Sequence, residues 1–252
     1  MPDGVQKYID TNNLQLECLA KLDIMHMYAK DIAKYDTDNK LYIKDIFDLV
    51  PSELNAKNKR CIMKALNEKA KFDCYANSFL WLADAGVALP TYNVEEPRLT
   101  LKLGEQSNLF KLFLSNVGLQ ASQYAVNIAF DLLNGKTEIN YGAIFENFAA
   151  QELRAHGYSL YYFNSKWQGK LDFVVEDRGH VLPIEIKSGK DYKRHNALSN
   201  VMATPEYDIP RAVVFSNGNM EVIGKITDCP IFMLIYLQPQ AMADPIFRFK
   251  PM

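Results

Sequence analysis

The stretch VLPIEIKSGK, residues 181–190, decides how the chain is read. Side chains in a strand alternate between faces, so Ile184 and Ile186 share one face and Glu185 and Lys187 the other. Two readings are open: an edge strand with one wet face, or a metal and phosphate site built on a sheet. Upstream, LDFVVED (171–177) is a second strand candidate. Between the two lies the turn-like Asp177-Arg178-Gly179-His180, with glycine where a positive φ is needed. A hairpin centred between Arg178 and Gly179 sets Asp172 directly opposite Glu185. Opposed residues share a face, with Cβ atoms about 4.5–5.5 Å apart. Two carboxylates so close repel unless they are protonated, diluted by water or bridged by a cation. Mg²⁺ suits such a place, because it takes one or two carboxylates and fills its other positions with water or phosphate.

Lys187 sits one pleat further on the same face, where it can orient an attacking water and offset phosphate charge. The main-chain carbonyl of Ile186 is a further oxygen donor. Glu146 is the fourth candidate. It lies in GAIFENFAAQELRAHG, an amphipathic helix that turns Ile144, Phe145, Phe148, Ala149 and Leu153 to a core and ends near Gly157. Glu146 is expected at the edge of that buried stripe.

Composition narrows the class. The chain has 252 residues, 48% hydrophobic and 23% charged, as in ordinary globular proteins. No apolar run reaches the roughly 18 residues of a membrane helix, and MPDGVQKYID lacks the layout of a signal peptide; the expected location is the cytoplasm, with no membrane partner. Cys18, Cys61, Cys74 and Cys229 are scattered, with no CxxC pair, so free thiols are expected rather than zinc or disulfides. A net charge of −2 argues against avid binding of nucleic acid by the whole surface, and leaves room for a local basic patch.

The chain divides in two. Residues 14–35 read as a helix, followed by helix candidates in LYIKDIFDLVPSEL, NKRCIMKALNEKA and YANSFLWLADAG, the last capped by Gly86. VALPTYNV and SNLFKLFLSN read as short strands. Helices followed by a small hairpin suggest a helical, winged-helix-like module over residues 1–134. Residues 135–252 read as an α/β domain: the helix containing Glu146, then strands at YSLYYF, LDFVVED and VLPIEIK, a helix near 193–202, and strands at RAVVFS and IFMLIYL. Gly135-Lys136-Thr137 mimics the end of a P-loop, but the first glycine of that motif would fall on Phe130. No ATP site is expected in this chain.

The pattern Glu146, Asp172, hairpin, Glu185-Ile186-Lys187 resembles the PD-(D/E)XK nuclease superfamily, the restriction-endonuclease-like fold. The longer runs GAIFENFAAQEL and GKLDFVVEDRGHVLPIEIKSGK are similar to the C-terminal domain, of uncharacterised function, that follows the ATPase module in prokaryotic predicted AAA+ ATPases. DIMHMYAKDIAKY, VPSELNAKNKRCIMKAL, FLWLADAGV and NLFKLFLSNVGL resemble that family's middle region. The Walker motifs of its ATPase are absent from these residues. One departure is Leu171, where the superfamily often has Pro or a small residue before the aspartate.

The resemblance implies an α/β (α+β) chain with a restriction-endonuclease-like mixed-sheet core behind the helical module. It implies hydrolysis of DNA with Mg²⁺ or Mn²⁺ held by Asp172, Glu185, Ile186 and Glu146, and Lys187 acting on the water. Lys190, Lys193, Arg194 and His195 would contact phosphates or else form a solvated helix start, and Trp167 and Tyr192 are candidates for stacking on bases or for packing. The alternative is a DNA- or protein-interaction module without turnover, serving an ATPase domain or chain.

Overall fold

The computed structural model describes residues 2–35, 40–55, 72–123, 131, 134, 141–189, 193 and 195–239. Among the described residues, four N-terminal helices come first: α1 (Pro2–Thr11), α2 (Leu14–Tyr35), α3 (Lys40–Asn55) and α4 (Phe72–Asp84). A hairpin follows, β1 (Ala88–Val94) and β2 (Glu105–Leu114), then the short α5 (Val117–Ser122). The rest is α6 (Gly142–Ala155), β3 (Tyr161–Ser165), β4 (Gly169–Asp177), β5 (His180–Ile186), α7 (Asn196–Met202), β6 (Ala212–Ser216), β7 (Glu221–Ile223) and β8 (Ile226–Pro230). Helix α1 was not expected, since Pro2 and Gly4 stand in its first turn. The helix expected at NKRCIMKALNEKA and the glycine-lysine-threonine near 135 lie outside the described residues.

The eight strands among the described residues form one mixed sheet in the order β2-β1-β3-β4-β5-β6-β8-β7. Strands β3, β4 and β5 form an antiparallel meander, and β6 runs parallel to β5. The order helix, three strands, helix, strand is therefore the one expected. The β1–β2 hairpin differs: Tyr92–Val94 of β1 pair in parallel with Tyr161–Phe163 of β3. The two strands expected as a small separate hairpin thus extend the same sheet. A single apolar cluster joins Ile43, Phe47, Phe79 and Leu82 of the helices to Phe113, Phe173, Ile184 and Phe215 of the sheet.

The run IFMLIYL is not a strand. Residues Ile231–Tyr236 form a 3-10 helix directly after Pro230. A continuous apolar run has no period that distinguishes helix from strand. The strands that complete the sheet, β7 and β8, come before it.

The decisive hairpin has the expected register. Phe173 pairs with Ile184, Val175 with Leu182 and Asp177 with His180. Arg178 and Gly179 both have positive φ, 53° and 75°, as a two-residue type I′ connection requires. Strand β5 lies inside the sheet, flanked by β4 and β6, and from Val181 to Ile186 every residue is buried. The edge-strand reading with a wet face is therefore wrong.

The faces separate cleanly. Phe173, Val175, Leu182, Ile184, Ile186, Val213 and Phe215 join the cluster under α6. Leu171, Val174, Val181, Ala212 and Val214 join Leu198 and Val201 of α7 on the other side.

Candidate functional site

The candidate residues gather at the end of the sheet opposite the Arg178–Gly179 turn, where β4 begins and β5 finishes. The paired ladder stops at Phe173 and Ile184. One residue further, the Asp172 side chain replaces it: Oδ2 accepts the Ile186 N–H at 3.0 Å. Asp172 is thereby fixed against the backbone joining Glu185 to Lys187. Its other oxygen, Oδ1, lies 3.4 Å from Lys170 Nζ.

Glu185 is 6% exposed. Its Oε1 is paired with Lys187 Nζ, while its Oε2 is buried with no hydrogen-bond partner. Burial raises the Glu185 pKa above the ordinary carboxylate value; the Lys187 hydrogen bond and charge oppose that, Asp172 adds to it and Lys170 opposes it. Lys187 keeps 29% of its side chain exposed while its ammonium pairs with Glu185. Ile186 closes β5, and the Lys187 N–H donates to the Phe215 carbonyl on β6 at 2.8 Å.

Glu146 is buried rather than at the edge of a stripe, at 4% exposure. The buried face of α6 is Ala143, Glu146, Asn147, Ala149, Ala150 and Leu153, with Phe145 and Phe148 only partly buried. Two polar groups can lie inward because β2 satisfies them. The Asn147 amide donates to the Leu114 carbonyl at 2.9 Å and accepts the Leu114 N–H at 2.8 Å. Glu146 Oε2 lies 3.4 Å from Lys111 Nζ.

Lys111 was not anticipated. It is fully buried, 5.0 Å from the Tyr162 ring centre and 5.6 and 5.8 Å from those of Phe173 and Phe113. It also donates to the Asp172 carbonyl at 3.3 Å. Cations over aromatic faces are attracted by the ring quadrupole, so this box suits an ammonium that water cannot reach. Its only trace in the sequence is a lysine inside the apolar run NLFKLFL. Lys170 had a clearer signal, standing two residues from Asp172 on the same strand. Burial lowers the Lys170 pKa, but Asp172 and Glu146 outweigh it and the net shift is upward.

The expected phosphate contacts fare unevenly. Lys190, Arg194 and Tyr192 lie outside the described residues. Lys193 is exposed and pairs with Glu221 Oε2 at 3.2 Å. His195 is not a surface contact: its side chain is 9% exposed and stands between two carboxylates, Glu185 and Asp228. A phosphate there would meet two like charges. Burial lowers the His195 pKa, Asp228 opposes this and Lys187 adds to it. Trp167, in the turn before β4, is 91% exposed and takes no part in packing.

Residues 141–232 match the family model described as Domain of unknown function (DUF4143). The matched span holds Glu146, Asp172, Glu185, Lys187, His195 and Asp228, while Lys111 lies outside it. No curated protein and no solved structure matches the chain. Among the described residues, no helix is long and apolar enough to cross a membrane. No three His, Cys, Asp or Glu side chains among them form a ready-made metal cage.

The donor chemistry nevertheless fits a hard divalent cation, which takes carboxylate oxygens and completes its shell with water. Glu185 Oε2 is an orphaned oxygen, and Asp172 Oδ1 is held by a long ion pair. Orphaned buried polar atoms in native structures call for a missing partner.

Proposed function

We propose that the chain is a metal-dependent phosphodiesterase of the restriction-endonuclease-like class acting on DNA, its centre at the end of β4 and β5. The observation carrying this reading is Glu185 Oε2, a partnerless carboxylate oxygen beside an ammonium and in the field of Asp172. Asp172 and Glu185 would hold Mg²⁺ or Mn²⁺, with the Ile186 carbonyl in support, while Glu146, engaged by Lys111 on the other face of the sheet, would act only through Lys111 and the Asp172 backbone. Such an ion, when bound, stabilises charge on the phosphoryl oxygens and acidifies water.

The remaining work falls to the chain itself. Lys187 is steadied by Glu185 yet partly exposed, so its ammonium can meet a phosphate oxygen and orient the attacking water. Asp172 is locked to the Ile186 N–H, which keeps its carboxylate from swinging away. Lys111 holds Glu146 and the Asp172 carbonyl from behind. Trp167 offers an exposed ring on which a base can stack.

Purified protein should cut DNA in Mg²⁺ or Mn²⁺, with Asp172→Ala and Lys187→Ala each lowering the rate by about 10²-fold or more. Equal cleavage by the double variant would assign the activity to a contaminant and end the reading.

A second reading is favoured by the charge balance. Glu146, Asp172 and Glu185 each face a lysine, respectively Lys111, Lys170 and Lys187. Acids neutralised in this way stand without an ion, as a module that binds DNA or an ATPase domain or chain without turnover. Salt-sensitive DNA binding, with no hydrolysis and no rise in Tm with divalent ions, would select it.

A further inference from the structure

Val214 of β6 pairs with Glu185 on one side and Asp228 on the other. Paired residues share a face, so the two acids stand in one row, two strands apart. Adjacent strands lie about 4.8 Å apart, which leaves a gap of about twice that over Val214. His195, at the entrance to α7, fills the gap. Its Nδ1 is 3.8 Å from Glu185 Oε2 and its Nε2 is 3.6 Å from Asp228 Oδ1.

Three of the facing atoms, Glu185 Oε2, His195 Nδ1 and Asp228 Oδ1, are buried with no hydrogen-bond partner. Leaving such atoms unmatched is unfavourable, because each has given up its bond to water and gained none in return. A separation of 3.8 Å is one that two ligands on the same ion can span with bonds of about 2.1 Å. The other ring nitrogen faces a carboxylate, the arrangement that fixes tautomer and ring orientation in metal-ligating histidines. The charges agree: Glu185 is offset by Lys187, which leaves Asp228 without a fixed cation in this row.

We propose that His195 Nδ1 and Glu185 Oε2 jointly ligate the divalent ion, with Asp228 orienting the imidazole, so that the site prefers Mn²⁺-class ions over Mg²⁺. The inference rests on the reading above for the presence of an ion at Glu185, and deepens it by naming the ion. Carboxylate and water donors suit Mg²⁺, whereas an imidazole nitrogen favours first-row transition ions.

The test is electron spin-echo spectroscopy of Mn²⁺ bound to the full chain, with titrations of Mn²⁺ and Mg²⁺ alone. The wild type should show imidazole-nitrogen modulation and bind Mn²⁺ at least about 10-fold tighter than Mg²⁺. His195→Gln should lose the modulation, while Asp228→Asn should keep it and weaken Mn²⁺ binding about 10-fold or more. Failure to bind Mn²⁺, binding without nitrogen modulation, or unchanged modulation in His195→Gln would each overturn the proposal. If His195→Gln does not fold, the wild-type spectrum and Asp228→Asn decide. Mn²⁺ bound without nitrogen, together with normal cleavage in Mg²⁺, sinks this inference and spares the phosphodiesterase. Nitrogen modulation in a protein that cuts no DNA does the reverse.

Discussion

Two buried ionic clusters lie against opposite faces of one sheet, and they are balanced differently. Under α6, Glu146 meets Lys111, which lies within reach of three aromatic rings and the Asp172 carbonyl. Under α7, Glu185, His195 and Asp228 stand in a row, with one unmatched atom on each. Burying a charge is tolerated when it is paired and hydrogen-bonded. The α6 cluster meets that condition from within the chain. The α7 cluster meets it only at Glu185 Oε1, which Lys187 holds; the inward-facing atoms that the fold leaves open there are what a ligand site looks like before its ligand arrives.

The sharpest way to break the contrast is to open the closed side. Lys111→Met keeps the length and apolar stem of the side chain, and takes the Lys111 ammonium away from buried Glu146. Removing one partner of a buried pair costs about 3–5 kcal/mol, which urea denaturation would register as a large fall in midpoint. Adding Glu146→Gln removes the stranded charge, and the double variant should recover more than half of the loss. If the double variant is no more stable than the single, the pair is not what holds this face together.

The sequence made some of this legible and hid the rest for physical reasons. Alternation in LDFVVED and VLPIEIK, with a glycine-containing turn between them, is local information, and it set the hairpin register. Glu146 was recognisable as a candidate, but its depth was not. A stripe through Phe145 and Phe148 carries no sign that Asn147 and Glu146 are satisfied by β2, a strand that ends more than 30 residues earlier. Lys111 looked like any strand lysine, because nothing nearby announces an aromatic box assembled from β2, β3 and β4. Proximity in the chain groups His195 with Lys193 and Arg194. Only the β5-β6-β8 order brings Asp228 to its other side.

The open side should respond in the opposite sense. Glu185→Gln in a metal-free, chelating buffer should raise Tm at neutral pH, because it removes a buried charge that burial disfavours. The pH dependence has a defined sign. With its folded pKa raised, Glu185 holds its proton in the native state after the unfolded chain has released it. Wild-type stability from this group therefore falls as pH rises from the ordinary carboxylate range through the raised value. The advantage of Glu185→Gln should be small at acid pH, grow across that window and then level off. An advantage independent of pH would mean that the carboxylate is not titrating with folding.

Trp167 sharpens the comparison from outside both clusters. With 91% of its surface exposed, it contributes little to either core, so Trp167→Ala should change folding stability by no more than about 0.5 kcal/mol. Its turn lies at the same end of the sheet as Asp172 and Lys187. A ring there is worth about 1–3 kcal/mol per stacked base, so single-stranded DNA should bind the variant roughly 5- to 150-fold more weakly at fixed salt. Fluorescence anisotropy of a labelled oligonucleotide, read beside thermal melts, separates the two effects. A melt that falls while binding holds would turn Trp167 into a packing residue, and would leave the two buried clusters without a visible surface for nucleic acid beside them.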